Sequence, residues 1–119
     1  MNLPKLDAAD MPARIDNFMS KARAASELLK ALSHETRLLI LCILSTGEKT
    51  VGEIEAILGL QQAVVSQQLA RLRLEQLVKT RRDGRSIYYS IANPNVTEVV
   101  SVLYRIYCEP GEVAAQSGE

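Results

Sequence analysis

From Ile15 to Leu32 the apolar positions Ile15, Phe18, Met19, Ala22, Ala25, Leu28, Leu29 and Leu32 fall three and four residues apart, which predicts an amphipathic helix. Ser33 either ends that helix or caps the next, and Glu35 is well placed in a first turn. Between Arg37 and Ser45 the run Leu38-Leu39-Ile40-Leu41-Cys42-Ile43-Leu44 is apolar nearly all round, the pattern of a central buried helix. Thr46-Gly47-Glu48-Lys49 reads as a turn. At Thr50-Val51-Gly52-Glu53 the Thr50 hydroxyl can accept from the Glu53 amide while Glu53 reaches back to the Thr50 amide, a helix start. Ile54, Ile57 and Leu58 then repeat at helical spacing until Gly59 stops the helix. After Gly59-Leu60-Gln61 a second helix opens, with Val65, Leu69, Leu72 and Gln76 on one face and Gln62, Ser66, Gln67, Arg71 and Arg73 on the polar remainder.

Two short helices joined by a tight glycine-bearing turn form the helix-turn-helix pattern. Val78 to Arg82 and Arg85 to Ile91 read as two strands joined at Asp83-Gly84, a hairpin signal. Asn93-Pro94 enters a last helix, with Asn95 and Glu98 as an alternative cap, and Val96, Val99, Val100, Leu103, Ile106 and Tyr107 carry it to Cys108 before Pro110-Gly111. The predicted fold is mainly α with a small β-hairpin, a winged helix-turn-helix over 14–108, flanked by a mobile arm (1–13) and a flexible tail (109–119). The first and last helices have more apolar surface than so small a core needs. That predicts a homodimer closed by those two helices, unless both faces fold back on one core.

The chain has 119 residues, room for one domain, and 47% hydrophobic content can fill its core. A formal net charge of zero argues against indiscriminate nucleic-acid affinity. The distribution argues the other way. Arg71, Arg73, Lys79, Arg81, Arg82 and Arg85 crowd one stretch against only Glu75 and Asp83. That places basic charge where a winged helix meets a phosphate backbone. Gln62, Ala63, Ser66, Gln67 and Arg71 are placed to meet base edges in a major groove, where Gln suits adenine, Arg suits guanine and Ala a thymine methyl. Gln68 rotates toward the side of the helix. Arg81, Arg82 and Arg85 on the hairpin would reach phosphates or the minor groove, contacts that position more than they specify. Paired recognition helices would read a palindromic site in double-stranded DNA.

No stretch approaches the roughly 20 apolar residues of a membrane span, and the N-terminus lacks the pattern of a secretion signal. A cytoplasmic protein is expected, without a membrane partner. Its two cysteines then read as reduced or redox-active thiols. Enzymatic use of Cys42 or Cys108 as a nucleophile lacks a base, because the one histidine, His34, sits beside a helix start as a local polar contact. No cofactor is implied.

The run Leu32-Ser33-His34-Glu35-Thr36-Arg37-Leu38-Leu39-Ile40-Leu41 resembles the L-x-x-x-x-R-L-x-I-L signature of the ArsR/SmtB bacterial repressors. So does Val65-Ser66-Gln67-Gln68-Leu69-Ala70-Arg71-Leu72, where the family usually has Val-Ser-x-His-Leu-x-x-Leu, and so does Leu77-Val78 followed by Arg81, Arg82, Gly84, Arg85 and Tyr88-Tyr89-Ser90-Ile91. Gln68 departs from the usual histidine. The resemblance implies a winged-helix homodimer that represses transcription until an inducer releases it.

Many relatives sense metals with two cysteines on the first helix of the helix-turn-helix, or with Asp and His pairs on the last helix. Here Val51 to Leu58 holds no sulfur and the last helix no histidine, so no metal site is expected. Cys42 fits a small buried hydrophobe, whereas Cys108 stands at a helix end before a Pro-Gly break. A direct bond needs the α-carbons within about 7 Å, a demand that a longer sulfur chain relaxes. One cysteine in the second helix and one in the last, with the ending Tyr104-Arg105-Ile106-Tyr107-Cys108, resembles the persulfide-sensing branch of the family, SqrR, BigR and similar proteins. That resemblance implies sensor thiols at Cys42 and Cys108, which reactive sulfur species join as a di- or polysulfide, releasing operator DNA. Tyr104 and Tyr107 would line the pocket or pack in the dimer. The alternative is a metal-responsive or general redox- or peroxide-responsive repressor of the same family.

Overall fold

The computed structural model describes residues 11–108, in the order α1 (Met11–Leu32), α2 (Glu35–Leu44), β1 (Lys49–Thr50), α3 (Val51–Leu58), α4 (Gln62–Leu74), β2 (Val78–Asp83), β3 (Ser86–Ile91) and α5 (Pro94–Cys108). This is a winged helix: a helical body with a three-stranded antiparallel sheet of order β1-β3-β2. The arm expected over residues 1–13 lies outside the described residues up to position 10, and α1 already begins at Met11. The tail expected from residue 109 lies wholly outside them.

Local chemistry sets most boundaries. The Ser33 hydroxyl donates to the Lys30 carbonyl at 2.7 Å, so Ser33 closes α1 and leaves His34 as the N-cap of α2, with no side-chain cap bond. Arg37 Nε donates to the Ala31 carbonyl at 2.9 Å, placing a cation on the C-terminal end of α1. The Thr50/Glu53 capping box forms as the spacing predicts, with bonds of 3.2 and 2.8 Å. Gly59 ends α3 at φ 68°, a left-handed cap that glycine adopts without strain. At α5 the choice of caps falls to Asn93, whose Oδ1 accepts from the Asn95 amide at 2.9 Å.

Three expectations are corrected. Lys49 belongs to a strand rather than to the preceding turn, because β3 offers a free edge and pairs Lys49 with Tyr89 and the capping Thr50 with Tyr88. The hairpin loop is Gly84-Arg85, one residue later than expected, and Asp83 pairs with Ser86. The only positive φ in that loop, 64°, falls on Gly84, as a two-residue loop opening on glycine requires. Gln76 does not continue the apolar face of α4. The helix ends at Leu74, and Gln76 takes φ 62°, where the bonds Gln76 N–H to Arg73 O and Leu77 N–H to Leu72 O form a Schellman cap.

The core gathers Ala31 and Leu32 of α1, Ile40, Leu41 and Leu44 of α2, Ile54 of α3, Val65, Leu69 and Leu72 of α4, Leu77 and Val78, and Val96 and Val100 of α5. Each large side chain there is worth about 1.5–3 kcal/mol relative to exposure. The second helix is thus buried on one ridge rather than all round: Cys42 and Ile43 are half-buried and Leu39 is exposed. The terminal helices do not fold all their apolar residues back on this core. Phe18, Met19 and Leu29 of α1 and Val102, Ile106 and Tyr107 of α5 stand in the open.

Gln76 bears the left-handed strain that glycine would avoid, about 1–2 kcal/mol, against roughly 0.4–1 kcal/mol of added unfolded-state freedom for glycine. Gln76→Gly is therefore expected to raise stability by about 0.5 kcal/mol, read as a Tm increase of about 2–4 °C. A drop in Tm would show that the Gln76 side chain contributes a contact that outweighs its backbone.

Candidate functional site

With Val65, Leu69 and Leu72 of α4 fully buried, the opposite face is left for a ligand. Gln62, Ala63 and Gln67 are exposed and Ser66 half-buried, and Ala63, Gln67 and Arg71 follow at intervals of four along one stripe. Gln61 precedes this helix without a side-chain cap bond, and no acidic residue stands in the first turn. The first amides of α4 are left for water or an anion. Arg71 meets Glu75 at 3.3 Å in an exposed i,i+4 pair. Such pairs are worth about 0.3–0.5 kcal/mol, little enough for a phosphate or base to displace. Gln68 does turn aside: it is half-buried, and its amide oxygen finds no hydrogen-bond partner among the described residues.

On the hairpin the three arginines differ. Arg82 and Arg85 are exposed near the tip, and no ion pair engages them among the described residues. Arg81 is engaged by Glu48 through two hydrogen bonds of 2.5 and 3.2 Å and lies 4.7 Å from the Tyr88 ring centre. Glu48 is held below the usual carboxylate range chiefly by the hydrogen bond from Arg81. The sequence reading missed Glu48 because it stands in what looks like a plain turn, with its partner 33 positions away.

The two thiols sit on α2 and α5, which pack together. Both are half-buried and unbonded. The Cys42 thiol is pushed above its ordinary value, first by burial and second by the charge of an ionised Cys108. The two groups are thus within electrostatic reach. Val100, Tyr104 and Cys108 recur every fourth residue on α5. Cys42 opens onto a cleft of about 640 Å³ whose walls include Leu39, Ile43, Ile57, Val100 and Tyr104. Of the two tyrosines expected there, Tyr104 lines the cleft and Tyr107 does not. His34 is exposed and its side chain makes no cap hydrogen bond to α2. Among the described residues no three His, Cys, Asp or Glu side chains gather as a metal site, and no helix is long and apolar enough to cross a membrane.

The model of the bacterial regulatory proteins of the arsR family matches residues 34–80, from the start of α2 into β2. The chain is 38% identical over 107 residues to the biofilm growth-associated repressor of Agrobacterium fabrum, covering 90% of each chain. The chain belongs to the ArsR family. A second relative, named transcriptional activator HlyU, from Vibrio cholerae, is 36% identical over 110 residues, covering 92% of this chain and 100% of that one. Among solved structures, the transcriptional repressor BigR from Xylella fastidiosa aligns with a TM-score of 0.73 at 39% identity, covering 78% of this chain and 95% of that one. ArsR proteins are DNA-binding transcription regulators and not enzymes, so this chain is a transcription regulator of winged-helix type.

The neighbouring thiol sets a sign. Removing it by Cys108→Ser takes away one of the two causes that raise Cys42 and leaves burial in place. Cys42 in that variant is expected to ionise at lower pH than in the parent, read from the pH dependence of its alkylation by iodoacetamide. An unchanged or higher midpoint would show that the two sulfurs do not sense each other.

Proposed function

We propose that this regulator is a homodimeric repressor that holds operator DNA through α4 and the hairpin and releases it when reactive sulfur species join Cys42 to Cys108. The exposed apolar residues of α1 and α5 support the dimer, since a monomer gains nothing by leaving Phe18, Ile106 and Tyr107 in water. Gln62, Ala63, Ser66, Gln67 and Arg71 would read bases, while Arg82 and Arg85 would seat phosphates. Two of the relatives bear the name repressor, which favours repression as the direction of control.

The observation that carries the sensing half is the pair of unbonded, half-buried thiols within electrostatic reach on α2 and α5. A thiolate attacks the outer sulfur of a persulfide R–S–SH, forming Cys–S–SH and expelling RS⁻. The second thiolate attacks the protein-bound sulfur of that persulfide, closing Cys–S–S–Cys and expelling HS⁻. If both thiols carry the extra sulfur first, one persulfide displaces HS⁻ from the other and a trisulfide results. Burial, and second the charge of Cys108, push the Cys42 thiol up, which disfavours its thiolate and suits it to the resolving step. A bridge pulls α5 against α2 and shifts the population away from the DNA-competent dimer.

The test is a DNA titration with and without a persulfide donor, beside mass spectrometry of the protein. The parent is expected to lose about tenfold or more in affinity, roughly 1.4 kcal/mol, and to gain a sulfur-bridge mass linking Cys42 and Cys108. Peroxide and glutathione disulfide are expected not to add that mass. Cys42→Ser and Cys108→Ser proteins are expected to stay on DNA. Release of those variants like the parent would contradict thiol sensing, and release by stoichiometric zinc or copper would favour the metal-responsive reading instead.

A further inference from the structure

We infer that Arg81 is a positioning residue rather than a phosphate contact, and that Glu48 and Tyr88 use it to hold the hairpin against the segment leaving α2. The inference rests on the operator-binding reading and changes which residues of the hairpin carry it. Two of the three guanidinium nitrogens of Arg81 are engaged by Glu48. Nε and Nη2 donate to the two Glu48 oxygens at 3.2 and 2.5 Å, and Nη1 stands 4.0 Å from Asp83. The guanidinium plane also covers the Tyr88 ring, its cross-strand partner. Tyr88 sits on the central strand, where Thr50 flanks it from the other side. Thr50 in turn caps α3. Glu48, two residues before Thr50, therefore ties β2 to the junction from which both β1 and α3 start.

A single exposed ion pair is weak. A two-pronged Arg–carboxylate pair with aromatic stacking is stiffer, because the planar fork has one geometry that satisfies both. To present its Nε–Nη2 edge to a phosphate, Arg81 would have to abandon Glu48, whereas Arg82 and Arg85 abandon nothing that the described residues offer.

The two roles predict opposite signs for Glu48→Gln. If Arg81 were a phosphate contact restrained by Glu48, neutralising Glu48 would free it, tighten binding and steepen the salt dependence by about 0.9 in log–log slope. As a clamp, Glu48→Gln lets the hairpin drift and weakens binding although the protein has become more positive. The probe is the duplex that the parent protein enriches from a random-sequence library, titrated between about 50 and 200 mM salt. Glu48→Gln and Arg81→Ala are each expected to weaken binding about three- to tenfold, and the double variant no further than about twofold beyond either. The salt slope of Glu48→Gln should match the parent, and the exchanged pair Glu48→Arg/Arg81→Glu should recover most of the loss. Hydrogen exchange supplies a readout without DNA: amides of 78–91 should exchange faster in both single variants. Tighter binding with a steeper slope, additive losses, or unchanged exchange in Glu48→Gln would each overturn the clamp. Failure of the parent protein to enrich any duplex would defeat the operator-binding reading instead, with the exchange data still deciding whether the clamp exists.

Discussion

One short helix is the surface on which the rest of the chain is assembled. The α2 segment spans only Glu35–Leu44, yet α1, α3, α4, α5 and β3 all pack against it. Ile40, Leu41 and Leu44 form the ridge that these elements share, and none of the three is more than 3% exposed. Close-packed interiors transmit displacement rather than absorb it, and α4 shares this core through Val65, Leu69 and Leu72. The opposite side of the same helix carries Cys42 on the cleft that α5 closes. In the proposed switch, a helix that organises the core on one side and presents a thiol on the other would couple chemistry at that thiol to the placement of α4.

How much of this was legible depends on how local the cause is. The capping box of Thr50 and Glu53, the Gly59 stop and the Val65-Leu69-Leu72 ridge each arise within a few residues, and spacing alone exposes them. Strand β1 could not be read that way. Two residues cannot show alternation, and Lys49–Thr50 become a strand only because Tyr88 and Tyr89 of β3 present an edge. The Schellman cap at Gln76 carries no glycine to announce it. The Glu48–Arg81 pair joins residues far apart in sequence, where no periodicity operates. The nearness of Cys42 and Cys108 belongs to the same class. Periodicity assigns each to a helix, and only the fold shows that those two helices, α2 and α5, pack on one another.

The charge of the chain shows the same division. Zero net charge hides a basic stretch, yet the structure separates its arginines by role. Arg37 closes α1, Arg81 is spoken for by Glu48, and Arg71 keeps only an exposed partner in Glu75. Arg82 and Arg85 keep none among the described residues. A count of basic residues overstates the surface offered to a phosphate backbone, and the pairing of each one corrects it.

The proposed switch requires the sulfur atoms of Cys42 and Cys108 of a single chain to come within bridging reach across α2 and α5. The most direct measurement is the reaction of the reduced protein with phenylarsine oxide, a trivalent arsenical that binds two thiols at once only where they adjoin, followed by peptide mass mapping. One arsenic per chain, linking the Cys42 and Cys108 peptides, is the predicted result. Separate single-thiol adducts, or no bridged peptide at all, would contradict the account.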